Sequence, residues 1–133
     1  MKVVDNFLPE EHFKLAQSLI MDYGFPWCWN DSVTKQVGES DPDEFQFVHK
    51  FYDPLCGVTS NYPRWKEIIK PFADYMNPVS LMRIKANLNV ATTEHITREF
   101  HTDFSVKCTT AIAYMNNNNG YTLFEDGTKV QSK

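Results

Sequence analysis

Between residues 80 and 90 the chain alternates with a period of two: Ile84, Ala86, Leu88 and Val90 fall on one side, Arg83, Lys85, Asn87 and Asn89 on the other. Only an extended strand sends successive side chains to opposite faces, so this stretch is predicted to be a half-buried strand. Phe45, Phe47, His49 and Phe51 repeat the period over 44–52, and residues 27–37 also read as extended, with a loop at 38–43 between them. Two helical stripes precede and interrupt this pattern. Over 9–22, Phe13, Ala16 and Ile20 share a face, behind Pro9 and the dipole-matching Glu10 and Glu11, and Gly24 marks the stop. Over 64–76, Trp65, Ile68, Ile69, Phe72 and Met76 form a second stripe, in which Pro71 is expected to kink or split the helix. Further strands are expected at 107–115 and 121–125, linked by turns at Asn119-Gly120 and Asp126-Gly127, which tolerate positive φ. Helices first and an antiparallel meander after them define an α+β fold, and a chain of 133 residues fits a single domain over 1–133.

Composition narrows the class of function. Hydrophobic residues are 42% and aromatics 14%, enough apolar surface for a core. The net charge is −4 and the 13 Lys and Arg are scattered, so neither a nucleic acid nor an anionic membrane finds a basic face. Cys28, Cys56 and Cys108 are odd in number and lack metal-ligand spacing, which reads as reduced, partly buried thiols. Without a signal-like or membrane-length apolar run, the expected location is the cytoplasm.

His101 and Asp103 are the residues most suited to chemistry. In a strand, a spacing of two puts an imidazole and a carboxylate on one face, a donor pair better matched to divalent iron than to zinc. By itself the pair more often describes a surface His near a turn Asp. His95 lies in the irregular stretch before it, His12 sits among acids on the first helix, and His49 shares a face with three Phe and reads as a satisfied core or rim histidine.

The surroundings of the pair carry more. Arg83-Ile84-Lys85-Ala86-Asn87-Leu88, then Phe100-His101-Thr102-Asp103-Phe104, then Thr109-Thr110-Ala111-Ile112-Ala113-Tyr114-Met115-Asn116, together resemble the first half of the double-stranded β-helix of the iron(II)/2-oxoglutarate-dependent oxygenases, in their prolyl-hydroxylase-like branch. Gly120-Tyr121-Thr122-Leu123-Phe124 is similar to the Gly-x-Thr-x-Phe strand of that branch, and Val4-Asp5-Asn6-Phe7-Leu8-Pro9 to its opening. The likeness is loose over 1–27 and good over 79–131. It implies a jelly-roll, cupin-like fold in which His101 and Asp103 are two of three Fe(II) ligands. It also implies 2-oxoglutarate and dioxygen as co-substrates, and hydroxylation of a small-molecule or peptidyl substrate, since halide-transferring relatives lack the carboxylate of Asp103. Tyr114, Asn87 and Thr110 fall at or beside positions that contact the co-substrate, although Tyr114 is equally a core Tyr and Asn87 equally part of a solvated strand face.

The sequence departs from the family after the pair. Only 30 residues follow Asp103, and none is the distal His or the Arg or Lys beyond it that completes the site. Three explanations stand: the sequence is a fragment, a companion chain supplies the other half, or two copies exchange strands as a homodimer with its contact near 107–131. The alternative from another class is a non-catalytic β-sandwich of the same ancestry that binds a ligand or partner.

Overall fold

The computed structural model describes residues 1–31 and 45–132. The chain divides into two compact units, Val4–Val90 and a second made of Met1–Val3 with Ala91–Lys133. The first holds both helices and a four-stranded antiparallel sheet, and the second a two-stranded antiparallel one, so the chain has an α+β composition. The described sheets close into no barrel. No helix among the described residues is long and apolar enough to cross a membrane.

In the first unit α1 spans Glu10–Ile20 and buries Ala16, Leu19 and Ile20. Pro9 stands one place earlier than predicted, at the N-cap, and the helix stops before Gly24: Met21 closes the last turn on the Gln17 carbonyl, and the Asp22 carboxylate then accepts the Gly24 N–H. α2, Trp65–Met76, runs on through Pro71 instead of splitting there. A proline forfeits one ladder bond, and the apolar stripe centred on Ile68, 1% exposed, holds the remaining turns. Asn77 ends α2 in the left-handed region at φ 43°, its N–H on the Ala73 carbonyl, before Pro78. The two helices pack against each other. Phe7 adds ring contacts with Phe72 and Tyr75 of α2.

The sheet of this unit centres on β2, Gln46–Asp53. One side of β2 pairs with β1, Cys28–Asn30, and with β3, Gly57–Val58. The other side pairs with β4, Ile84–Leu88, with His49 opposite Ala86 and a register shift between Lys50 and Tyr52. β4 keeps the predicted faces over fewer residues: Ile84, Ala86 and Leu88 are half-buried while Lys85 and Asn87 are exposed. Its partner is β2, upstream. Of the expected strand over 27–37, Cys28–Asn30 is strand, Trp27 and Asp31 are not, and 32–37 lies outside the described residues.

Phe25 anchors the core beside the sheet, with Trp27, His49, Phe51 and Tyr62 at centroid distances of 4.9, 4.7, 6.1 and 5.1 Å. Phe51 is 2% exposed, and burying a ring of that kind is worth about 2–3 kcal/mol.

The second unit has little regular structure. Residues 89–120 contain no helix or strand, so the predicted strand at 107–115 is not formed. Its Thr109-Thr110-Ala111-Ile112-Ala113 run offers mostly small side chains, and Ile112 remains 58% exposed. A strand with so little apolar area and no paired neighbour does not hold. The Asn119-Gly120 turn therefore joins no hairpin. The second predicted turn does: β5, Tyr121–Leu123, and β6, Lys129–Gln131, pair antiparallel across Asp126-Gly127, with Gly127 at φ 82°. All three cysteines are free and exposed, where partial burial was expected.

Candidate functional site

His101 and Asp103 lie in the irregular stretch of the second unit, and both are exposed. Without a strand at 100–104, alternation no longer places their side chains on one face. One local contact involves the imidazole. His101 Nδ1 is 3.2 Å from the Glu99 carbonyl oxygen. A carbonyl can only accept, so Nδ1 is the donor in this contact, and a neutral ring making it would keep the lone pair on Nε2. That is the tautomer a metal-binding histidine uses, with the far nitrogen tied to a carbonyl.

Tyr114 is half-buried, and its hydroxyl is shared locally: Thr122 Oγ1 is 2.5 Å away, and the Val130 carbonyl accepts at 3.4 Å. The phenol thus bridges the incoming chain to both strands of the β5–β6 hairpin, the core-Tyr arrangement weighed from the sequence. Thr110 is exposed in the segment without regular structure. Asn87 belongs to the other unit, exposed on β4 opposite Val48.

The donor set is incomplete. Among the described residues no three His, Cys, Asp or Glu side chains are grouped so as to hold a metal ion. Two donors leave a divalent cation with few protein bonds, so the residues present do not by themselves fit a resident iron.

Sequence reasoning did not identify two other polar clusters. His49 is 5% exposed and bonded at both nitrogens: Nδ1 donates to the Pro26 carbonyl at 2.9 Å, which leaves Nε2 to accept from the Ser60 hydroxyl at 2.7 Å. The Tyr62 N–H in turn donates to Ser60 Oγ. The Phe alternation marked His49 as a satisfied histidine, but its partners are distant in sequence and carry no signal. In the second cluster, Ser132 donates to the Asn116 carbonyl and accepts from the Asn118 amide, while Gln131 reaches the carbonyls of Asn118 and Gly120. The asparagine run is thereby fastened along β6.

No protein-family model, curated protein or solved structure matches this chain.

Proposed function

We propose that this chain carries the ligand-pair portion of an iron(II)- and 2-oxoglutarate-dependent hydroxylase. The reading rests on the order of four sequence elements, the strand of Ile84 to Leu88, the His101–Asp103 pair, the Tyr114 segment and the Gly-x-Thr-x-Phe strand. One local observation supports it: His101 Nδ1 lies 3.2 Å from the Glu99 carbonyl oxygen, a contact that favours the tautomer with Nε2 available to a metal. Under this reading His101 and Asp103 are two of the three ligands. The double-stranded β-helix is the fold such a site requires, with 107–115 pairing only when the remaining strands are present. Iron, when bound, would supply the oxidising chemistry with 2-oxoglutarate and dioxygen as co-substrates. The residues in hand contribute the imidazole and carboxylate donors.

The test is anaerobic titration with Fe(II), followed by calorimetry, on the wild-type chain and on His101→Ala and Asp103→Ala. The expected result is weak binding, lost or reduced about tenfold or more in either variant. Equal affinity in all three proteins would place any bound iron elsewhere and end the reading.

A second reading is favoured by Tyr114, whose hydroxyl is occupied by Thr122 and Val130 and not directed to a co-substrate. On that reading the chain is a non-catalytic β protein that binds a ligand or partner. Saturation of the metal-loaded chain by 2-oxoglutarate separates the two, since only the hydroxylase reading predicts it.

A further inference from the structure

Ser60, His49 and Pro26 form a connected line of hydrogen bonds inside the first unit. His49 Nδ1 lies 2.9 Å from the Pro26 carbonyl oxygen, and Nε2 lies 2.7 Å from Ser60 Oγ. A carbonyl can only accept, so Nδ1 is the donor there, and a neutral ring making both contacts accepts the Ser60 O–H at Nε2. A hydroxyl thus faces a base whose other nitrogen is held by a third group, the arrangement that activates a serine nucleophile. We propose that Ser60 and His49 are a nucleophile–base pair for acyl transfer from small carboxylic esters to water. This reaction is independent of the oxygenase reading, and all three residues belong to Val4–Val90.

The chain fixes each member from a different direction. His49 stands on β2, its ring 4.7 Å from that of Phe25 and 4.6 Å from that of Phe51, contacts that restrict its rotation. Ser60 follows β3, where Thr59 fastens the chain to β2 twice. Its N–H donates to the Phe51 carbonyl at 3.0 Å and its hydroxyl to the Lys50 carbonyl at 2.9 Å. The Tyr62 N–H donates to Ser60 Oγ at 3.2 Å. That amide leaves the hydroxyl proton to His49 and favours negative charge as it develops on Oγ. The Pro26 carbonyl is the positioning group. His49 is 5% exposed while Ser60 is half-buried, so the nucleophile lies nearer solvent than its base. A nucleophile half covered in this way suits a short acyl group.

In the first step Ser60 Oγ bonds to the ester carbonyl carbon as its proton passes to His49 Nε2. The tetrahedral intermediate collapses by breaking the bond to the alkoxy oxygen, which takes that proton and leaves as the alcohol. Water then gives a proton to Nε2 and attacks the acyl carbon. The bond to Oγ breaks, Oγ recovers the proton, and the carboxylic acid departs. Water is the only co-reactant.

An alkyl fluorophosphonate tests the first step alone: an Oγ–P bond forms, fluoride leaves, the hydroxyl proton goes to His49, and the adduct persists. The folded 133-residue chain is treated with this probe, digested and mapped by mass. The expected result is a single adduct, on Ser60. Ser18 is the internal control, since it is exposed but its hydroxyl is given to the Leu15 carbonyl and not to a base. His49→Gln should slow the labelling about a hundredfold or more, the usual contribution of a positioned base. Hydrolysis of p-nitrophenyl acetate should fall in step in Ser60→Ala and His49→Gln. The wild type alone decides the matter even if a variant does not fold, because labelling of Ser60 should be lost in denaturing urea, where hydroxyl and base separate. Absence of an adduct on the folded wild type, adducts shared between Ser60 and Ser18, or a Ser60 adduct that forms equally fast in urea overturns the proposal. Ser60 is then a structural partner of His49 alone.

Discussion

His49 shows how a single polar side chain can organise the first unit. Its ring lies among Phe25 and Phe51, and its two nitrogens reach the backbone before β1 and the loop before α2. Ser60→Ala would leave Nε2 buried with no hydroxyl to accept from, and an orphaned buried acceptor costs about 1–3 kcal/mol. Urea unfolding should show that loss as a lower midpoint with an unchanged slope. An unchanged midpoint would mean that water replaces the hydroxyl and that the bond contributes nothing net. The sequence was informative here only in part. Alternation with Phe45, Phe47 and Phe51 placed His49 on an apolar face, because strand period is a local property. Its satisfaction by Pro26 and Ser60 depends on chain return over 23 and 11 residues, which no local pattern encodes. The same limit applies to Tyr114, whose partners Thr122 and Val130 become neighbours only once the hairpin has closed.

Among the elements, those built from nearby contacts were the most legible. Both helices were visible as apolar stripes, and the β5–β6 hairpin was visible as Asp126-Gly127 between short extended runs. The hairpin turn has its own pH signature. Asp126 is held below the usual carboxylate range, first by the Thr128 hydroxyl and then by the Thr128 N–H at 2.8 Å. A depressed folded pKa stabilises the turn above the unfolded carboxylate value, and that contribution fades as pH falls through the folded one. Chemical shifts of Thr128 and Gly127 should therefore drift toward random-coil values on acidification, and Asp126→Asn should remove the drift. A pH-independent Thr128 amide would show that the carboxylate does not close the turn. Gly127 at φ 82° sets a second expectation: Gly127→Ala should weaken the hairpin by about 1 kcal/mol, because a Cβ strains that backbone region. α2 was less predictable. Pro71 argued for a kink or a split, and the helix is not split: burial of Ile68 in the shared helical core outweighs the missing ladder bond.

At the scale of the whole molecule, strand pairing is where sequence reading and structure part. A period of two says that a stretch is extended and which side is apolar, but it does not name the neighbour. β4 finds β2 across 37 residues, counting His49 to its partner Ala86, while 107–115, expected to lie in the same sheet, forms no strand. The His101–Asp103 reading depended on that missing order, since a spacing of two brings side chains together only on a strand. Hydrogen exchange resolved by peptide tests the difference directly, because amides in a ladder exchange through unfolding and those outside it exchange freely. Amides of β2 and β4 should be protected by orders of magnitude, and those of 89–120 should exchange close to the unfolded rate. If 107–115 instead proves as slow as β4, that segment is paired in solution. The period-two expectation would then be restored, His101 and Asp103 would regain strand neighbours, and the double-stranded β-helix would gain its first physical support. If it exchanges freely, the ligand pair sits on chain that must be ordered by something further, and its metal affinity must bear the entropy of that ordering, roughly 1–2 kcal/mol per residue fixed. Free exchange is therefore expected to accompany the weak Fe(II) binding of the isolated chain, and the two measurements should rise together in any assembly that pairs 107–115.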